Sequence, residues 1–206
     1  MNDKYEFTGD TKEFCGVTLK RIRACSSFGV VETGDLGGWI ESEQNLDVSG
    51  DAWVSGDAWV SDDAWVFGAA RVFGAARVFG AARVFGAAWV FGDARVFGAA
   101  WVSGDARVSD DARVFGAARV FGAARVFGAA RVSGAARVFG DARVFGAARV
   151  FGDAWVSDDA RVSSDTEYLS IGPLGSRRAF LTVTRDKKIQ WRYTTGCFTG
   201  SRDEFK

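Results

Sequence analysis

The chain has 206 residues, room for one domain or for a repeat array with small ends, and carries 26 acidic and 26 basic side chains but no histidine. That balance gives no electrostatic reason to require nucleic acid, and no apolar run is long enough to cross a membrane. The missing imidazole removes the usual neutral-pH general base and the usual zinc ligand.

Residues 1–47 hold 9 acidic and 5 basic groups and read as an N-terminal β cap of short strands, broken at Thr8-Gly9-Asp10 and Thr33-Gly34-Asp35. No segment there has the pattern of a signal peptide. The basic run Lys20-Arg21-Ile22-Arg23 reads as a solvated strand face. Ile40 and Leu46, six apart, lead into a strictly periodic region.

From Val48 to Val162 a valine stands at every sixth position. A fixed short period means one structural unit stacked many times. In Ala70-Arg71-Val72-Phe73-Gly74-Ala75, alternation puts Ala70 and Val72 on one side of a short strand and Arg71 and Phe73 on the other. A buried unpaired guanidinium is too costly, so Ala and Val face inward and Arg and Phe outward. Gly74-Ala75 makes the corner, and Asp in the second corner place (Asp93, Asp105, Asp141) is expected to accept backbone N–H groups. Each inward valine contributes on the order of 1.5 kcal/mol, so stability must accumulate over many units.

Residues 164–206 read as a C-terminal β-hairpin module. A loop with Pro173 precedes two strand-like runs, Ala179–Arg185 and Lys188–Tyr193, separated by Asp186-Lys187. The final Asp203-Glu204-Phe205-Lys206 reads like the start of a helix, as if this module were cut short.

An aliphatic residue with a small residue two places before it, every six residues over 48–163, resembles the hexapeptide repeat of left-handed β-helices. The resemblance implies a left-handed, three-sided coil of 18 residues. Glycine second after the aliphatic residue (Gly56, Gly68, Gly74) is similar to phage and prophage proteins with Val-Tyr-Gly-Asn-Ala-Arg-like hexads, as are Tyr5-Glu6-Phe7-Thr8-Gly9, Leu36-Gly37-Gly38-Trp39-Ile40-Glu41 and Thr195-Gly196-Cys197-Phe198-Thr199-Gly200. It implies the cytoplasm of a bacterial host. The fold class is thus all-β: a single-stranded β-solenoid over 48–163 with small β-rich caps at 1–47 and 164–206.

Enzymes of the hexapeptide class, as the resemblance implies, rely on histidine, which this chain lacks. Cys15, Cys25 and Cys197 are odd in number and lack metal-type spacing, and read as reduced thiols. Cys197 has no imidazole partner to make it a nucleophile. The pairs Asp62-Asp63, Asp110-Asp111 and Asp158-Asp159 lie 48 residues apart, not a whole number of 18-residue coils, and so belong to different corners. No catalytic residue, metal or cofactor is expected.

The outward positions carry the unusual information. The first holds Arg thirteen times and Trp six times between residues 53 and 161, and the second holds Phe or Ser. Arg is followed by Phe in ten of thirteen cases, which predicts guanidinium over ring within a strand. The candidate interaction surface is Phe67, Arg71, Phe73, Arg77, Phe79, Arg83, Phe85, Trp89, Phe91, Arg119, Phe121, Arg125 and Phe127. Residues 61–108 recur at 109–156 with six differences, a block of eight units. Eight is not a multiple of three, so the copy is rotated by one side of the coil, which suits a rod similar on all sides better than a unique pocket. The expected task is a non-enzymatic structural or interaction scaffold, for self-association or a protein partner. The alternatives are a nucleic-acid binder using Arg columns, an acyltransferase-type enzyme, and an ice-binding surface, for which a flat Thr ladder is missing. No membrane partner is expected.

Overall fold

A computed structural model describes residues 3–164, 168–174, 179–185, 191–195, 198–201 and 203–204. They form a three-sided β-solenoid, and its repeating side is the strand-and-corner unit expected from the hexads. Three N-terminal strands, β1 (Tyr5–Phe14), β2 (Val17–Ala24) and β3 (Leu36–Ile40), precede nineteen two-residue strands, β4 (Trp53–Val54) to β22 (Arg161–Val162). Four more strands follow among the described residues: β23 (Tyr168–Leu174), β24 (Ala179–Arg185), β25 (Trp191–Thr195) and β26 (Phe198–Ser201). The described residues contain no α-helix, only a 3-10 turn at Glu43–Asn45.

Each short strand from β4 to β19 pairs in parallel with the one 18 residues on, Arg71 with Trp89 and Trp89 with Arg107, so three hexads close one coil. Among the bonds that hold a rung, Arg71 N–H donates to the Ala88 carbonyl at 2.9 Å and Phe73 N–H to that of Val90 at 3.0 Å. The first face stacks the strands beginning at residues 53, 71, 89, 107, 125, 143 and 161. The second stacks those at 59, 77, 95, 113, 131 and 149, and the third those at 65, 83, 101, 119, 137 and 155. Every inward Ala from Ala52 to Ala160 and Val from Val54 to Val162 is fully buried or nearly so, as the alternation requires.

The block copy lands as its length dictates. Trp65 lies on the third face and its copy, Arg113, on the second. Asp62, Asp110 and Asp158 accordingly mark three different corners, each with φ near +56° where neighbouring corners use Gly. Asp62 Oδ2 accepts the Gly80 N–H at 2.8 Å and Asp110 Oδ2 that of Gly128 at 3.0 Å, one coil further on. The sequence reading assigned backbone capping to Asp93, Asp105 and Asp141, which accept no such bond among the described residues. The carboxylate works one place earlier, where it hangs over the next coil's exposed N–H.

The N-terminal strands extend the second face's sheet in the order β1-β2-β3-β5 (β5 being Trp59–Val60), and Ile40 pairs with Val60. Leu46 bridges Val66, so the inward register above the first full coil is Ile40 and Leu46. Val48, first of the periodic valines, is 50% exposed. Lys4 Nζ holds the Asp47 and Gly50 carbonyls at 2.8 and 2.6 Å, and the chain between them bows outward. The expected break at Thr8-Gly9-Asp10 is instead a bulge within β1, with Gly9 at φ +93° and Asp10 N–H on Thr8 Oγ1. The true turn is Cys15-Gly16, both at positive φ. The turn at Thr33-Gly34-Asp35 is present, with Gly34 at φ +94°.

The basic run of β2 is not simply solvated. Ile22 is buried, Arg23 pairs with Glu6, Lys20 lies over Phe7 and Arg21 over Trp39. At the other end β24 pairs antiparallel with β22 and continues the first face's sheet into β25 and β26. The hairpin partner of Ala179–Arg185 is Trp191–Thr195, and Lys188–Gln190 lie outside the described residues. Pro173 falls within β23, beside a register shift between Ile171 and Leu174, where a missing N–H is tolerated. Asp203 and Glu204 form a turn, and Phe205-Lys206 lie outside the described residues.

Candidate functional site

Most outward rings meet their partners in the next coil, although Trp65 and Phe67 stack within one strand at 4.1 Å. Adjacent rungs are ~4.8 Å apart, whereas two residues along a strand cover ~6.6 Å. Rings therefore stack along the solenoid axis. Phe73 on Phe91, Phe79 on Phe97 and Phe97 on Phe115 each have centroids 4.9 Å apart and planes within 2°. Phe67 stacks on Phe85, Phe121 on Phe139 and Phe127 on Phe145 in the same way, at 4.7 to 5.2 Å.

Serines divide these ladders. Ser109 separates Phe91 from Phe127, Ser133 separates Phe115 from Phe151, and Ser103 separates Phe85 from Phe121. At the Ser103 gap and at the end of the third-face ladder a tryptophan of the same rung turns toward the last phenylalanine. Trp101, beside Ser103, meets Phe85 edge-on at 6.1 Å, and Trp155, beside Ser157, meets Phe139 at 6.2 Å. At the top of the second face Trp59, beside Ser61, stacks on Phe79 at 5.6 Å. Stacking leaves the repeat phenylalanines only partly exposed, apart from Phe151, which is 59% exposed.

Arginine does not cover the phenylalanine of its own strand as expected. Its ring partners are tryptophans one coil away: Arg83 and Arg119 flank Trp101 at 5.5 and 4.7 Å, Arg71 and Arg107 flank Trp89 at 5.8 and 4.9 Å, and Arg137 lies over Trp155 at 5.0 Å. Arg77 lies over Trp59 and over Phe14 of the N-terminal hairpin. Among the described residues the one ion pair is Arg23–Glu6, outside the repeat.

The thirteen candidate residues do not form one patch. Arg71, Phe73, Trp89, Phe91, Arg125 and Phe127 lie on the first face, Arg77 and Phe79 on the second, and Phe67, Arg83, Phe85, Arg119 and Phe121 on the third. Sequence reasoning passed over Trp59, Trp101 and Trp155, which end the ladders, and Phe14 and Phe28, which lie against Trp59 and Trp53 at 5.1 and 5.4 Å. The signal for the tryptophans was available by taking the outward positions at intervals of 18 instead of 6.

The second face differs from the others. Its first outward column places Arg77, Arg95, Arg113, Arg131 and Arg149 in unbroken register, and Trp39 and Trp59 continue it upward. Beside it runs the longest ladder, Phe79–Phe97–Phe115. At its top the tip of the β1–β2 hairpin overhangs the face and encloses a cleft of about 430 Å³ between Phe14, Val17, Leu19, Trp59 and Phe79.

A family model described as the YdcK beta solenoid repeat matches residues 106–122. That stretch is just under one coil and runs from inward Ala106 to corner Gly122, so the similarity is to the solenoid unit itself. No curated protein matches the chain. No described helix is long and apolar enough to cross a membrane.

Proposed function

We propose that the chain is a non-enzymatic scaffold, a rod that presents Arg and aromatic ladders to a protein partner or to further copies of itself. The observation that carries this reading is the distribution of the ladders. All three faces bear stacked phenylalanines, and the duplicated block moved them from one face to another. Copying of that kind preserves a rod's surface texture and would scatter a catalytic constellation. The absence of histidine from the sequence supports the same reading.

The left-handed sense of the coil, the relationship to phage and prophage hexad proteins and a bacterial cytoplasmic location belong to this proposal and rest on the sequence resemblance. Nucleic-acid binding is the second reading, favoured by the arginine column of the second face. The stacked rings count against its single-stranded form. Their faces are taken up by one another, so few remain on which bases could stack.

Sedimentation velocity recorded at 260 and 280 nm tests the proposal. Species larger than 22.2 kDa with protein-like absorbance, dissociating when Phe79, Phe97 and Phe115 become Ser, are the expected result for self-assembly. Excess absorbance at 260 nm that disappears with added salt would replace this reading by the nucleic-acid one. A monomer at every concentration would leave docking of a foreign protein as the only form of the scaffold reading.

A further inference from the structure

We infer that the second face is the docking face of the rod, and that its occupant is an extended acidic peptide segment with a bulky apolar residue at one end. This rests on the scaffold reading and names the partner's chemistry. Three independent features converge there. The first is charge. Arg95, Arg113, Arg131 and Arg149 succeed one another at single-coil spacing, and none has an ion-pair or ring partner among the described residues. On the third face, by contrast, Arg83, Arg119 and Arg137 are all held on tryptophan. On the first face Arg125 and Arg143, likewise without a ring or ion-pair partner among the described residues, stand between corners that carry Asp93 and Asp111 on one side and Asp105 and Asp141 on the other. The corner after the second face carries Ala81, Ala99, Ala117 and Ala135, with no carboxylate between Asp63 and Asp153. Asp93 and Asp111 stand at the preceding corner, beyond ion-pair distance of the column.

The second feature is the ladder. Flat stacking turns the ring edges of Phe79, Phe97 and Phe115 outward, and the edge is the positive part of an aromatic quadrupole. The strip beside the guanidiniums thus favours carboxylates and offers nothing for bases to stack on. The third is the cleft under the hairpin tip. Phe14, Val17, Leu19, Trp59 and Phe79 give it mostly apolar walls that suit a bulky apolar side chain, and Arg77 and Arg95 also line it. Asp62 also borders the cleft, so the acidic part of the ligand belongs further along the column. Five rungs at ~4.8 Å span ~19 Å, which about six residues of extended chain cover at ~3.3 Å each. One short strand running along the solenoid axis therefore reaches the whole column from an anchor in the cleft.

The probe is an acetylated, amidated peptide of one Trp followed by six Glu, titrated into the full chain by calorimetry at 50 and 200 mM salt. Binding should weaken with salt, and exchange of the Trp for Gly should weaken it about tenfold, as loss of a buried aromatic anchor does. The triple variant Arg95→Gln, Arg113→Gln, Arg131→Gln should lose at least about tenfold in affinity. The triple variant Arg107→Gln, Arg125→Gln, Arg143→Gln on the first face, with the same change in net charge, should lose less than about threefold. Circular dichroism of both variants verifies the fold. No binding, or equal losses in the two triples, overturns the assignment. So does a twelve-residue oligothymidylate that binds the second face more tightly than the peptide, which would make the column a phosphate site. A null titration of a chain that still forms larger species in sedimentation removes this docking face and leaves the scaffold standing. Null results in both experiments remove self-assembly together with this assignment.

Discussion

Phe79 and Phe97 are 18 residues apart in sequence, yet their rings lie parallel within 1° at 4.9 Å. That distance is close to the rung spacing, so the backbone ladder itself sets the stack. A side chain at a given outward place meets its own kind from the next coil, and each ring covers the face of its neighbour.

Phe97 stacks on both sides, on Phe79 and on Phe115. Phe97→Ser removes two stacks and part of a half-buried ring, and should destabilise the chain by about 2 kcal/mol. Phe91, which stacks on Phe73 alone and faces Ser109 on its other side, should cost only about 1 kcal/mol when changed to Ser. Denaturant melts of the two variants give the comparison. Equal losses would show that the rings do not act through stacking.

The corners require a left-handed backbone, which penalises a β-carbon by ~1–2 kcal/mol except where a short polar side chain can bond locally. Gly98 has φ +69°, and a β-carbon there would come within 3.0 Å of the Gly116 nitrogen. Gly98→Ala should therefore lower the melting temperature. Gly98→Asp should lower it less, because Asp110 already occupies such a corner at φ +57° and accepts a bond from the next coil. A melt in which Asp is worse than Ala would contradict this account of the Ser-Asp-Asp hexads.

Trp101 lies between Arg83 and Arg119 and closes the ladder at Phe85. Each cation–π contact contributes ~0.5–1 kcal/mol. Trp101→Ser should cost about 2 kcal/mol, and Arg119→Gln should cost far less in that background than in the parent chain. A double-mutant cycle measures the difference, and strictly additive losses would mean that the contact contributes nothing.

The reach of hexad reasoning, and its limit, come from the two spacings. Ala94 and Val96 had to face inward because Arg95 between them could not, and both are fully buried. Three hexads per coil came from the resemblance to hexapeptide-repeat β-helices, because the period alone does not set how many sides close a coil. The partner of Arg83 was misread, because the sequence displays Phe85 two places away and conceals Trp101, 18 places away and nearer in space. Val48 kept the period but not the place, because Lys4, 43 residues away from Asp47, draws the chain there out of register. The cleft at the top of the second face was invisible for a similar reason: Phe14 reaches Trp59 only through a hairpin that turns at Cys15-Gly16, where the sequence suggests a break at Gly9.

Lys4 itself gives the chain a signature in alkali. Burial lowers its pKa from 10.5 to about 8, against the opposing pull of Asp47 and Asp51. Below pH 8 the amine is charged in both folded and unfolded chains, and the cost of burying that charge is constant. Between about 8 and 10.5 the unfolded chain keeps a proton that the folded chain has released, so this group makes stability rise with pH. The full gain is at most about 3 kcal/mol, at 1.36 kcal/mol per pKa unit. Lys4→Met abolishes that term but leaves Lys12, which burial also shifts downward, unchanged. Guanidinium unfolding of both chains at pH 7.5 and 10.5 isolates it. The parent chain should gain stability relative to Lys4→Met on going to the higher pH, and the same pH dependence in both would show that the Lys4 amine is not held in a costly charged state above the first coil.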